Sequence, residues 1–319
     1  MTTLVTGANG FVGPWLLREL LRHQPTGEVT AWVWGGASDE LVREFPAVRF
    51  DEVDLRDPGD VAARMADVVP DVIFHLAASS SVSASWRDPR VAFDVNLIGT
   101  LHLLEAVRTC CPEAVVAAPT SGEVYGPCVD RRPHREQDPM DPRSPYAVSK
   151  AAQDLLLGQA ARASGLSTVR LRPFVHTGPG RPATFAESGF ARQIAEIEAG
   201  RRSPRVAVGN LDAVRDICDV RDVVRGYRLA ADPRHAGSVY NLCRGSGVTM
   251  RDVLGVLQSL AHTDVEIEVD ADRLRPADVP VLVGDAECAR SKLGWHPEIP
   301  LEVALADLLE WWRATLRAA

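Results

Sequence analysis

Short runs of apolar and β-branched residues recur through the first half of the chain: TLVT at 3–6, VTAWV at 29–33, VRFDEV at 48–53, VIFHLA at 72–77, AVVAAP at 114–119 and STVRLR at 167–172. Each is short enough to read as a strand. Between them lie stretches with apolar residues three and four apart: WLLRELL at 15–21, VAARMADV at 61–68, a long segment over about 90–108 and another over about 146–163. These read as helices. Alternation of the two kinds implies βαβ units, and therefore an α/β fold with a doubly wound parallel sheet covered by helices on both faces. No internal repeat or low-complexity segment breaks the pattern.

The turn after the first strand reads GANGFVG, with Gly7, Gly10 and Gly13 leading into a helix. Glycines there permit a tight turn and let a pyrophosphate approach the helix N-terminus, where free N–H groups and the helix dipole favour an anion. The bland alternative is an ordinary strand-to-helix turn; the position inside a βαβ unit favours a dinucleotide site. Asp54, in VDLRD after the third strand, is a candidate to hydrogen-bond an adenine, and is otherwise a helix cap. The second strand ends in AWVWGG, with neither an acid for a ribose 2′-OH nor an Arg for a 2′-phosphate, so NAD and NADP both remain open.

SPYAVSK at 144–150 places one of the chain's two lysines four residues after one of its four tyrosines. In a helix, Tyr146 and Lys150 share a face, and an ammonium near a phenol should lower the phenol pKa toward a useful acid/base range. A plain surface helix start, with Ser144 as N-cap and Pro145 following, explains the cap and leaves the pair unexplained. PTSGEVYG at 119–126 follows the fifth strand, so Thr120, Ser121 and Glu123 should emerge at the carboxyl edge of the sheet, where ligands sit. Its bland reading is a good capping sequence.

Composition narrows the class. At 319 residues, 46% apolar and 24% charged, the chain can bury a core without staples, and its net charge of -8 with no basic block argues against a nucleic-acid surface. The six cysteines show no metal-ligand spacing and read as reduced, mostly buried thiols. No apolar run approaches the roughly 18 residues of a membrane span, and no basic leader precedes the first strand, so the expected location is cytoplasmic.

The segments TGANGFVG, HLAA at 75–78, the Ser121 region and YAVSK, in that order, resemble the extended short-chain dehydrogenase/reductase family. The resemblance continues through RPFVHTGPG at 172–180, FARQIAEIEAG at 190–200, VGNLDAVRDICDVRDVV at 208–224, VYNLC at 239–243 and LRPADVPVLVGD at 274–285, and there it is closest to the branch that handles GDP-6-deoxy-4-keto-mannose. It covers essentially the whole chain. It implies a Rossmann domain over 1–172 and 217–243, and a smaller discontinuous α/β nucleotide-sugar domain over 173–216 and 244–319. Ser121, Tyr146 and Lys150 fall on the family's catalytic Ser/Thr, Tyr and Lys, and Glu123 falls on the carboxylate that dehydratases use as a base. Asn96 falls on a supporting Asn. The cofactor, NADH or NADPH, would meet Gly7, Asn9, Gly10, Phe11, Val12, Gly13, Asp54, Leu55, Leu76, Ala77, Ala78, Tyr146 and Lys150. Ser80, Glu123 and His176 would face the sugar, while Arg192, Asn210, Arg215, Arg275 and Asp278 would wrap the GDP moiety, whose diphosphate suits Arg forks.

Three departures shape the expectation. Gly122 stands where many dehydratases carry an acidic or hydroxyl residue, Val175 replaces an Asn, and Trp34 lies near where relatives carry an Arg. The expected activity is NAD(P)H-dependent reduction of a GDP-linked 4-keto-6-deoxyhexose to GDP-rhamnose, in a homodimer with no metal, membrane or nucleic-acid partner. The alternatives are a GDP-mannose 4,6-dehydratase or epimerase with tightly bound cofactor, and a non-catalytic dinucleotide sensor.

Overall fold

The computed structural model describes residues 1–24, 26–128, 132–273 and 279–318. Six of the sheet strands come from the expected runs: β1 (Thr2–Thr6), β2 (Glu28–Val33), β3 (Val48–Glu52), β4 (Val72–His75), β5 (Val115–Pro119) and β6 (Thr168–Pro173). Short strands β7 (Val175–Thr177), β8 (Arg205–Val208), β9 (Val214–Arg215) and β10 (Ile217–Asp219) follow, before β11 (Val239–Leu242) rejoins the sheet beside β6. The order is β11-β6-β5-β4-β1-β2-β3, and every pairing is parallel. Strand order reverses between β1 and β4, which opens the crevice where ligands of such sheets bind.

Successive side chains of a strand point to opposite faces, and the two cores follow that rule. Val5, Val72, Phe74, Val115 and Ala117 enter one core; their neighbours Leu4, Ile73, Val116 and Ala118 enter the other. The helices of the sheet region are α1 (Val12–His23), α2 (Asp39–Glu44), α3 (Pro58–Val68), α4 (Val82–Arg87), α5 (Pro89–Phe93), α6 (Gly99–Cys110) and α7 (Pro145–Ser164). Further on come α8 (Ala186–Glu198), α9 (Val220–Ala230), α10 (Met250–Ser259), α11 (Glu287–Leu293) and α12 (Leu301–Ala318). Helices α1 and α9 cover the first face, and α3, α6 and α7 cover the second.

A third core joins α8, α10 and α12 through Phe190, Ile194, Leu254, Leu305 and Leu309. The small strands β12 (Val248–Thr249), β13 (Glu266–Val269) and β14 (Val281–Leu282) pair as β12-β9-β14 and β13-β8. The chain passes between cores abruptly, since Ile217 belongs to the third and Cys218 to the first. One segment differs from expectation. Val279, Leu282, Ala286, Ala289 and Trp295 pack into the sheet core, not the smaller one, and the Trp295 indole donates to the Asp222 carbonyl at 2.7 Å. A buried indole and an apolar helix face beside β11 draw 279–295 back to the sheet.

The long segment over 90–108 is one continuous rod made of α5, a π-helical turn Asp94–Ile98, and α6. The wider turn was not visible in the apolar spacing. Helix α7 begins as expected, with the Ser144 side chain accepting from the Ala147 N–H and Pro145 next, a cap worth about 1 kcal/mol. Among the described residues no helix is long and apolar enough to cross a membrane.

Candidate active site

A cleft of about 1030 Å³ runs along the carboxyl edge of the sheet and ends against the smaller core. Its floor is the glycine turn. Gly7 has φ +68°, and a Cβ there would lie 2.6 Å from the Ala77 backbone at the end of β4. At Gly13 a Cβ would lie 2.0 Å from the Ala8 carbonyl, so this glycine lets α1 sit against β1. Gly10 is different: its Cβ would meet nothing within 4 Å except the Gly7 carbonyl, at 3.3 Å, and would otherwise occupy the cleft. Helix α1 has no side-chain cap and no acid in its first turn. An open cradle above uncapped N–H groups fits a pyrophosphate. Asn9, Phe11, Val12, Leu76, Ala77 and Ala78 line this part of the cleft, and Asp54 and Leu55 line its far end. Asp54 is not the cap of α3, a task done by Asp57; it is paired with Arg56 at 2.7 Å.

The reacting end is built where β5 stops against α7. Ser121, Glu123 and Tyr146 line the cleft together, with the Ser121 hydroxyl accepting from the Glu123 N–H at 3.1 Å. Behind them, Thr120 donates to buried Asp154 at 3.0 Å, and Arg172 forks onto the same carboxylate at 2.8 and 2.9 Å. This network pins the end of β5 to α7; breaking such a buried pair costs about 3–5 kcal/mol because one charge is stranded. Asn96, in the π-helical turn, donates to the Ser149 hydroxyl and the Ser79 carbonyl and accepts from the Ser79 N–H. It ties α7 to the loop after β4 that carries Ser80.

Tyr146 and Lys150 both line the cleft, one helical turn apart, but the expected tuning of the phenol is not there. Burial raises Tyr146 to about 12, and the hydrogen bond from Ser121 and the Arg181 charge only partly oppose it. Lys150 turns its ammonium away, donating to the Pro119 carbonyl at 2.9 Å and to Gln153 Oε1 at 2.8 Å. Burial lowers Lys150 to about 7. Gln153 in turn donates to Thr100, which contacts His75, and His75 contacts Thr6 of β1, so a buried chain of hydrogen bonds runs from Lys150 to the first strand. Sequence spacing pointed to Lys150; nothing in it pointed to Gln153.

The opposite wall comes from the segment after β6. His176 stacks on Phe11 with ring centroids 6.0 Å apart, and burial, followed by the Arg181 charge, lowers it to about 3, keeping it neutral. Arg181 is buried in the cleft wall, over the Phe185 ring at 3.4 Å and paired with Glu187 at 3.1 Å. Arg181 and Glu187 were missed in sequence, although Arg181 directly follows HTGPG. Gly122 packs against Phe174: a Cβ there would lie 2.8 to 3.0 Å from three ring carbons. Any side chain at 122 would have to displace that ring, which is itself held against Tyr125.

Ser80, Asn210 and Arg215 line the cleft. Arg192 does not. It is exposed on α8, bonded to Glu196 at 2.7 Å and near the Trp312 ring, because position 192 falls on the outer face of a helix whose inner face is filled by Phe190, Ala191 and Ile194. Arg275 and Asp278 lie outside the described residues.

A family model described as GDP-mannose 4,6 dehydratase matches residues 4–308. A GDP-6-deoxy-D-mannose reductase of Pseudomonas aeruginosa is 33% identical over 314 residues, which is 98% of this chain and 97% of the relative. The structure of RMD from Pseudomonas aeruginosa complexed with NADPH superposes with a TM-score of 0.83 at 30% identity, over 98% of this chain and 99% of that one. The UDP-glucose 4-epimerase of Thermus thermophilus in complex with NAD gives a TM-score of 0.88 at 29% identity, over 98% and 99% of the two chains. The chain therefore belongs to the GDP-mannose 4,6-dehydratase family, within the extended short-chain dehydrogenase/reductases.

Proposed function

We propose that this NAD(P)-dependent nucleotide-sugar oxidoreductase reduces the 4-keto group of a GDP-linked 4-keto-6-deoxyhexose, forming GDP-rhamnose. The observation that carries this reading is that Ser121, Tyr146 and Lys150 line one cleft beside a closed position at Gly122, where Phe174 fills the space an elimination acid would need. Similarity to a reductase over nearly the whole chain supports it.

A reduced nicotinamide supplies hydride to the C4 carbonyl carbon. The chain's own groups do the rest. Tyr146, protonated at neutral pH as an ordinary phenol is and held more firmly so by burial, donates its proton to O4 as the carbonyl becomes an alcohol. Ser121, which lines the cleft with Tyr146, is placed to hold the same oxygen while charge develops. When bound, the cofactor would be held at its pyrophosphate by the glycine turn and would lie at its nicotinamide end beside Tyr146 and Lys150, while Asn210 and Arg215 would face the sugar nucleotide. We place the enzyme in the cytoplasm as a homodimer; six free thiols fit a reducing compartment.

The second reading, a dehydratase or epimerase, is favoured by Glu123, whose carboxylate lines the cleft beside Ser121. The deciding assay supplies GDP-mannose and GDP-4-keto-6-deoxymannose separately and follows NAD(P)H absorbance beside product mass. Net NAD(P)H consumption with the keto sugar is expected. Tyr146→Phe should lower that rate about 10²–10⁴-fold, while Glu123→Gln should retain most of it. Loss of water from GDP-mannose without net NAD(P)H consumption, abolished by Glu123→Gln, would overturn the reductase reading.

A further inference from the structure

The buried polar chain behind Lys150 allows only one assignment of donors and acceptors. Thr100 on α6 gives its single hydroxyl hydrogen to the Asn96 carbonyl at 2.7 Å, so it can only accept from its other partners. Those are the Gln153 side-chain amide at 2.9 Å and His75 Nε2 at 2.9 Å. His75 therefore carries its proton on Nε2, and its Nδ1 accepts from the Thr6 hydroxyl at 2.9 Å. Burial, followed by the Lys150 charge, lowers His75 to about 3 and keeps it neutral. Thr6 in turn accepts from the Ala77 N–H at 3.2 Å. With its nitrogen committed to Thr100, the Gln153 amide cannot turn over, and its Oε1 faces the Lys150 ammonium at 2.8 Å. Thr6, Thr100 and Gln153 are fully buried, and Lys150 is nearly so.

We propose that Gln153 is a positioning residue for Lys150, fixing its ammonium through a neutral oxygen and leaving one N–H for a ligand in the cleft. The inference rests on the reading that Lys150 serves the reacting end of that cleft. An ammonium has three donors. The Pro119 carbonyl takes one at 2.9 Å, Gln153 takes the second, and Lys150 makes no other hydrogen bond among the described residues. The charged and titratable groups around it leave this task to the amide. Asp154, on the same helix, is bound by Thr120, Arg170 and Arg172, and its charge acts on Lys150 without an ion pair. His75 is neutral, and Tyr146 keeps its proton at neutral pH. A carboxylate at position 153 would hold the lysine charged to high pH, and an apolar side chain would leave its ammonium a single protein acceptor. The amide bonds the ammonium without adding a charge. Its far end, tied through Thr100 and His75 to Thr6, sets Lys150 relative to β1 and to the loop after β4.

The chain's two lysines are Lys150 and Lys292, so carbon-13 at the lysine Cε gives two NMR signals, which Lys292→Arg assigns. Following them against pH in the full chain reads the hold on Lys150 without any turnover. In Gln153→Met, which keeps the length and loses the oxygen, the Lys150 midpoint should fall by about one pH unit or more. In Gln153→Glu it should rise by about two or more. Rates with NAD(P)H and the keto sugar should follow. Gln153→Met should lower kcat/KM about tenfold or more, Gln153→Glu should lose less, and the alkaline fall of each rate profile should move with its Lys150 midpoint. A Gln153 that only fills space would move neither midpoint nor profile, whatever its effect on melting temperature. Should Gln153→Met not fold, Gln153→Glu makes the same comparison. Midpoints equal to the parent's would overturn the proposal, as would midpoints that move while the rate profiles stay in place. A parent inactive on the keto sugar would overturn the proposed function, and the midpoints would then still support or overturn the hold of Gln153 on Lys150.

Discussion

Tyr146 and Lys150 share a helix face yet meet different surroundings, and the difference is one of burial rather than spacing. The phenol, protonated at neutral pH in any case, is pushed further from ionisation by burial; the lysine loses affinity for its proton for the same reason, falling to about 7. Lys150 therefore has a consequence for stability. Its folded pKa lies below its unfolded value near 10.4, so between about pH 7 and 10 the unfolded chain binds more protons and stability rises with pH. The contribution to the slope approaches about 1.4 kcal/mol per pH unit in that window. Lys150→Met removes the buried cation, so its melting temperature should exceed the parent's most at pH 6 and least near pH 10. A difference independent of pH would show that Lys150 titrates normally. Arg56, Arg181, Glu187 and the buried Gln153 behind Lys150 were not legible as site residues, since each takes its place through a contact that no local spacing encodes.

At the scale of elements, the strand-to-helix turn assigns its three glycines separate tasks. Gly10 guards open space and Gly13 guards a helix–strand contact, so substitutions should separate binding from folding. Gly10→Val should change stability by less than about 1 kcal/mol, as exposed positions generally do, while its branched side chain enters the pyrophosphate cradle and abolishes NADH and NADPH binding. Gly13→Val should cost about 3 kcal/mol or more, because a side chain there overlaps the Ala8 carbonyl. Thermal melts with parallel fluorescence titration would check both; unchanged nucleotide affinity in Gly10→Val would make the turn purely structural. The π-helical turn at Asp94–Ile98 has its own logic. It buries Asn96 where its amide bridges the Ser79 loop and Ser149 of α7, and such turns recur at functional sites.

For the whole molecule, the outer surface of the second helix layer is the feature left over once both cores are filled. Ile98 in the π-helical turn, Leu101 on α6, and Val148 and Leu155 on α7 are exposed, Leu155 at 60%. Val95 and Leu156 on the same layer turn inward, to the cleft and to the second core respectively. Packing this layer against its two-fold copy would cover the patch, as isologous dimers do. Light scattering should give a dimer at micromolar concentration, and Leu155→Glu should shift it to monomer by placing a charge in the seam. A parent that is monomeric at that concentration would reject the dimer.

Periodicity, glycine placement and the Tyr-x-x-x-Lys spacing are local, and a strand or helix expresses them before anything else has packed. For that reason the alternating elements, the glycine turn at the end of β1 and the capped start of α7 could all be read from the residues alone. Which of those residues share one cavity, and with what charge, depended on separations of tens to hundreds of positions. Phe174 closing on Gly122, Arg56 crossing to Trp34, Arg192 turning outward, and Trp295 drawing its segment back to the sheet are outcomes of packing. Burial decided the protonation of Tyr146 and Lys150, because the cost of removing a charge from water depends on the whole surrounding volume and not on the four residues between them.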